Sequence, residues 1–148
     1  MGCVVSFMVM FSVYGEPVGK ARARHRFNGK FVQSYTPKKT RDYEDEVRAM
    51  AKAAMGSSEP FNGPVTLFMY VNMPVPPSYS KKRREACLSG AERPTKKPDL
   101  SNIQKGIEDG MNGIVYLDDC QIVATRTSKR YDEVASVHVV IKETSNEE

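Results

Sequence analysis

Lys97-Pro98-Asp99-Leu100-Ser101-Asn102-Ile103-Gln104-Lys105, followed one helix length later by Tyr116-Leu117-Asp118-Asp119, is the stretch from which the rest of the chain is read. Leu100, Ile103, Ile107, Met111 and Ile114 recur at helical spacing, so a helix with one apolar face is expected over residues 99–112. Asn112-Gly113 ends it. At 1.5 Å per residue this helix is only about 20 Å long. A strand turning back after the Asn-Gly break therefore carries Asp118 and Asp119 toward Asp99. Ser101, Lys105 and Asp109 follow one another at i, i+4 and i+8 on the polar face. Taken singly, Asp99 is most simply an N-cap, worth on the order of 1 kcal/mol. Asp118-Asp119 is then a loop entering a strand, and Lys105 a surface lysine paired to Asp109 or Asp99. Taken together, Asp99, Asp118 and Asp119 make a hard-oxygen site for Mg2+, and Lys105 is placed to stabilise charge building on a phosphoryl group.

Outward from this block, residues 4–14 are apolar at nearly every position and are expected as a strand buried on both faces. Residues 15–26 form a loop with Pro17 and Gly19, and 27–35 a short aromatic hairpin around Asn28-Gly29. Tyr43, Val47, Met50, Ala51 and Ala54 mark a helix over 37–55 that stops at Gly56. Alternating Val65, Leu67, Met69 and Val71 mark a strand over 64–73. A proline- and lysine-rich connection, 74–97, holds a short helix near 81–88. Residues 121–130 and 134–142 are expected as an antiparallel hairpin around Tyr131-Asp132-Glu133. The order β-α-β-α-β-β predicts an α+β fold, a mixed sheet with two main helices packed on it. One domain is expected over 1–148, with 1–9 as extra N-terminal residues and 143–148 as a frayed tail.

Charge is segregated. Residues 18–41 hold eight basic and no acidic residues, and 81–97 hold seven basic residues against Glu85 and Glu92. Against a net charge of +4, those segments, at +8 and +5, leave the remainder at −9. A basic surface beside an acidic cluster suits polyanions and the metal-assisted cleavage of phosphodiesters. Lys20, Arg22, Arg24, Arg26, Lys38, Lys39 and Arg41, with Lys81, Lys82, Arg83, Arg84, Lys96 and Lys97, are the candidate DNA contacts.

Other chemistries fall away. Two histidines, His25 and His138, exclude an HExxH zinc site. Gly15-Glu16-Pro17-Val18-Gly19-Lys20 is one residue short of a P-loop, and Ala21 stands where Ser or Thr belongs. Cys3, Cys87 and Cys120 are odd in number, without ligand-like spacing, and fit a reducing cytoplasm. The apolar run over 4–14 is too short to span a membrane. Met1-Gly2-Cys3 formally matches a lipidation signal, but the residues after it are needed as a core strand.

At these residues the chain resembles the RusA-type Holliday junction resolvases, common in phages and prophages. The resemblance rests on Tyr14-Gly15-Glu16-Pro17-Val18-Gly19-Lys20-Ala21-Arg22, on Tyr35-Thr36-Pro37-Lys38-Lys39-Thr40-Arg41-Asp42-Tyr43-Glu44, on the block opening at Lys97, and on Asp109 through Val123. It implies a homodimeric, Mg2+-dependent endonuclease, Mn2+ substituting, that resolves four-way or branched DNA by paired symmetric nicks. The family's catalytic aspartates fall on Asp99 and Asp119, with Asp118 adjacent, and its lysine on Lys105. One position departs: the family motif reads Asp-x-Asp-Asn, and here the second aspartate is Ser101, a weaker ligand with one charge fewer. The alternatives are a branched-DNA-binding member of the family with feeble or no cleavage, and an unrelated basic nucleic-acid-binding domain whose aspartates are caps and turns.

Overall fold

The computed structural model describes residues 7–21 and 24–145, Arg24 by its backbone alone. The lipidation-like start, Cys3, the first residues of the expected 4–14 strand, Arg22 and the last residues of the tail lie outside that range. The elements run β1 (Met8–Tyr14), β2 (Arg24–Phe27), β3 (Val32–Tyr35), α1 (Lys38–Met55), β4 (Val65–Pro74), α2 (Lys81–Ser89), α3 (Leu100–Met111), a 3-10 turn (Asp119–Gln121), β5 (Ile122–Asp132) and β6 (Ser136–Glu143). The fold is α+β, with a mixed four-stranded sheet in the order β1-β6-β4-β5 and a separate β2-β3 hairpin.

Each element follows from its apolar spacing. In α1 the buried residues are Thr40, Tyr43, Val47, Ala51 and Met55, a single stripe at steps of three and four. In α3 they are Ile103, Gly106, Ile107, Gly110 and Met111. These stripes face each other and the sheet, whose inner face presents Val9, Phe11 and Val13 of β1, Leu67, Met69 and Val71 of β4, and Val137, Val139 and Ile141 of β6. Fully burying such a side chain stabilises by about 1.5–3 kcal/mol, so this layer carries the fold. The helices meet so closely that a Cβ added at Gly110 would lie 2.5 Å from Val47 Cγ1.

Two expectations need correction. The strands over 121–130 and 134–142 do not form a hairpin with each other: β4 lies between them, parallel to β5 and antiparallel to β6. Val65, Leu67, Met69 and Val71 are fully buried. A strand so deep in the core must satisfy its backbone on both edges. It ends at Pro74, with Pro76 and Pro77 beyond, so residues 133–135 cross over its end, where Asp132 is level with Pro74 and Ser136 with Asn72. The first strand, for its part, is buried on one face only. As the sheet's edge, β1 alternates, with Val9, Phe11 and Val13 inward and Met8, Met10 and Tyr14 exposed.

Candidate active site

The loop 15–21, the start of α1 and the start of α3 enclose a cleft of about 590 Å³, lined by Asp99 and Asn102 and by the cations Lys20, Lys39 and Lys97. A Cβ at Gly19 would come within 2.9 Å of Pro98 Cβ, so a residue without one lets the loop lie against α3. Lys20 N then donates to Asn102 O at 3.0 Å, and Ala21 N to Thr40 Oγ1 at 3.3 Å. From β5, Lys129 Nζ donates to the carbonyls of Lys96 (2.9 Å) and Pro98 (3.1 Å), fixing the approach to Asp99. Asp99 occupies the N-cap position of α3 with extended backbone, yet its side chain makes no capping bond. Its nearest hydrogen-bonding partner is Asn102 Nδ2 at 3.5 Å. The carboxylate is exposed toward the cleft rather than used up on the helix end.

The second acidic block is set by the turn after α3. Buried Tyr116 donates its hydroxyl to Glu108 O at 2.7 Å, and Gly113, at φ 78°, donates its N–H to Tyr116 O at 2.8 Å. Burial first, then neighbouring Glu108, raises the Tyr116 phenol well above its ordinary pKa. Gln121 organises the next turn: its Oε1 accepts from the N–H groups of Leu117 and Asp118, and its Nε2 donates to Phe61 O and Gly63 O. Asp118 caps that turn, accepting from Cys120 N at 3.2 Å. The interaction of its side chain with Asp119, then the Cys120 backbone, holds the Asp118 carboxyl below its ordinary value.

Lys105 joins the two blocks. Its Nζ lies 3.1 Å from Asp119 Oδ2 and 3.1 Å from Asp109 Oδ1. Asp109 Oδ2 in turn binds Lys20 Nζ at 2.8 Å, and Lys20 also binds Glu44 of α1. Charges therefore alternate along Glu44–Lys20–Asp109–Lys105–Asp119, linking α1, the loop, α3 and the 3-10 turn. The carboxylates of Asp109, then Asp119, raise the Lys105 pKa and keep it a cation. At Lys20 partial burial opposes the charge, but Asp109 and Glu44 outweigh it and the pKa is raised.

Of the expected metal ligands, Asp118 and Asp119 are adjacent and interacting, while Asp99, which lines the cleft, and exposed Ser101, which does not, stand at the start of α3. Among the described residues no three Asp, Glu, His or Cys side chains form a group able to hold a metal ion by themselves. The candidate DNA contacts divide. Lys39 and Lys97 line the cleft, and Arg41, Lys81, Lys82 and Arg84 are exposed. Arg26 sits 5.7 Å from the Tyr35 ring centroid, and Lys38 pairs with Asp42 at 2.6 Å. Lys20 is engaged by its two carboxylates. Arg83 is clasped by Glu92 at 3.0 Å and lies 3.6 Å over Tyr79, with Lys96 5.8 Å from the same ring.

Sequence reasoning missed Glu44, Gln121 and Lys129. Gln121 had a signal, since Asp118-Cys120-Gln121 fits the capping-box spacing around Asp119. Glu44 follows Thr40 by four residues on the inward stripe of α1. Lys129 shares the inner face of β5 with Tyr131 by simple alternation.

The model of the family described as Endodeoxyribonuclease RusA matches residues 14–142. An uncharacterized protein of Bacillus subtilis (strain 168), YqaN, is 37% identical over 139 residues, covering 93% of this chain and 97% of that protein.

Proposed function

The chain belongs to the RusA endodeoxyribonuclease family, and on that premise we propose that it is a Mg2+-dependent nuclease that cuts four-way and other branched DNA by paired symmetric nicks. Family membership implies a resolvase-type endonuclease. The finer assignment is supported above all by the Lys105 ammonium, 3.1 Å from Asp119, which ties the helix block to the second acidic block.

The donor chemistry fits a hard divalent cation. Asp99 at the start of α3 and Asp118 and Asp119 in the following turn offer carboxylate oxygens, Ser101 follows Asp99 by two residues, and the Asp119 carboxylate already accepts a cation in Lys105. When bound, such an ion polarises a phosphoryl oxygen and makes a water more acidic. The chain's own residues do the rest. Lys39 and Lys97 hold the backbone phosphates at the cleft mouth. Lys105, kept protonated by Asp109 and Asp119, faces the charge that grows on the phosphoryl oxygens. Lys20, Glu44 and Asp109 fix where Lys105 stands. A homodimer follows from the substrate, because two symmetric cuts across a two-fold junction need two sites related by a two-fold axis.

A second reading, a branched-DNA-binding protein with feeble cleavage, draws on Ser101, whose hydroxyl contributes no charge where the family carries an aspartate. One experiment separates them: incubation of a labelled four-way junction and a linear duplex with the protein, in Mg2+ and in EDTA. Paired nicks at symmetric positions in the junction, requiring Mg2+, are expected. Junction binding without nicks would support the second reading, and equal cutting of duplex would refute the branch selectivity.

A further inference from the structure

In the β2-β3 hairpin every residue from 25 to 35 is exposed. Its strands pack chiefly on each other, Arg24 opposite Tyr35 and Phe27 opposite Val32. At its tip Phe27 is 69% exposed, Phe31 56% and Val32 61%. Water does not favour three such side chains together at the end of a projection, and an exposed apolar patch of this kind marks a contact surface.

The tip is built, not slack. Asn28 Oδ1 accepts from the N–H groups of Lys30 and Phe31, each at 3.0 Å, and Asn28 N donates to Phe31 O at 3.2 Å. Gly29 supplies the positive φ, 93°, that the turn demands. Phe31 is thereby held at the end of the turn, next in the chain to Val32, which lies opposite Phe27. The surroundings are cationic: Arg26 and Lys30 flank the aromatics, and no acidic residue occurs between Glu16 and Asp42. The hairpin also rises from the rim of the cleft, because Ala21 before it and Pro37 after it both line the cavity that Asp99 lines. At about 3.3 Å per residue its strands reach roughly 13 Å from that rim.

Aromatic faces on a cationic arm suit one kind of partner, nucleobases without a stacking neighbour on one side. Every base has a π-face, the phosphates meet the cations, and the recognition needs no sequence. A fully stacked duplex offers no such face, whereas the point where arms part does. We propose that the β2-β3 hairpin is a base-stacking probe, with Phe27 and Phe31 packing on bases unstacked at the branch point while the cleft holds the adjoining strand. This rests on the branched-DNA reading above and assigns to the hairpin the selection of branch over duplex.

The chain contains no tryptophan, so Phe31→Trp gives a single reporter at the tip that keeps an aromatic face. Its emission should be quenched on adding a four-way junction and stay unchanged with a duplex of equal length. Phe27→Ala and Phe31→Ala should each weaken junction binding about tenfold, leave duplex binding within about twofold, and leave the melting temperature unaltered, while Phe31→Trp retains junction affinity. Unchanged emission at saturating junction, or alanine variants that bind the junction as tightly as wild type, would overturn the proposal. So would a changed oligomeric state of Phe31→Ala by light scattering, which would make the tip a subunit contact. Cleavage by wild type separates the two readings. A protein that quenches but does not cut loses the nuclease assignment alone, and one that cuts without quenching loses the probe alone.

Discussion

Replacing Gly110 by alanine tests the contact that sets the distance between α1 and α3. The new Cβ would lie 2.5 Å from Val47 Cγ1, 2.8 Å from Val47 Cβ and 3.3 Å from Glu44 O. Ordinary carbon contacts are about 3.5–4.0 Å, so the helices must part by roughly 1 Å. Val47 cannot swing aside, being β-branched and fully buried. Overpacking of this kind costs about 1–3 kcal/mol, against a gain of about 1 kcal/mol for alanine over glycine in a helix. Gly106, one turn earlier in α3, isolates that gain, because a Cβ there meets nothing nearer than Val18 O at 4.0 Å. The propensity term is common to both variants and cancels in their difference. At about 2–4 °C per kcal/mol for a chain of this size, Gly110→Ala should melt roughly 2–12 °C below Gly106→Ala. Because Glu44 on α1 and Asp109 on α3 both hold Lys20, cleavage by Gly110→Ala should also fall at temperatures where the variant remains folded. Thermal unfolding by circular dichroism, with a junction-cleavage assay alongside, reads both effects. Equal melting temperatures for the two variants would refute the close approach of the helices.

Asp119→Asn should lower cleavage on the order of a thousandfold and leave junction affinity within about twofold, since it removes a proposed metal ligand rather than a phosphate contact; parallel loss of both in cleavage and gel-shift assays would contradict the role. Ser101→Asp should lower the Mg2+ concentration needed for cleavage, by restoring a carboxylate beside Asp99, and a Mg2+ titration showing a higher requirement would sink the idea that the site is short of charge. Replacing Lys39 and Lys97 together by alanine should flatten the dependence of log affinity on log salt by roughly two units, and an unchanged slope would remove them from the interface. The buried Tyr43 phenol is raised by burial, then by Glu46, above its ordinary value of 10.0. The unfolded chain releases that proton from about pH 10 while the folded chain retains it, so its share of stability is whole below pH 10 and drains above it. The Tyr43 hydroxyl also has no hydrogen-bond partner among the described residues. Tyr43→Phe should therefore be neutral to slightly stabilising at pH 7 and lose less stability between pH 10 and 12, and denaturant melts showing the reverse would refute the burial account.

Much of the fold was legible because the apolar periodicities of α1, α3 and β4 are strong and their ends are marked by Gly56, Asn112-Gly113 and Pro74. Strand pairing was not. Three residues between β5 and β6 look like a hairpin turn, and nothing local says that β4 intrudes; only its need for a partner on each edge does. The opening strand was misread for a related reason. An unbroken apolar run suits a strand covered on both sides, and the run 7–11 keeps Met8 and Met10 outward on a sheet edge. In the site, the helical spacing of Lys105 and Asp109 foretold their pairing, and it came out at 3.1 Å. The partnership of Lys20 with Glu44 and Asp109 was illegible, because it joins residues from three elements and Lys20 reads in sequence as one more cation in a basic run.

The pairing of β1 with β6 sets Ser12 beside His138, 126 positions later in the chain. Synthesis delivers residues in order, so the first strand leaves the ribosome long before its neighbour exists. The sheet cannot close until β6, the strand that bridges β1 to β4, has been made. Contacts this distant in sequence are slow to form. A chain cut short ahead of Ser136 would carry every residue of the candidate site and yet leave β1 without its neighbour and β4 with one edge unpaired. Such fragments should be found in aggregates or at the protease, not on DNA, and the last eight residues of the sheet decide when a newborn molecule is able to act.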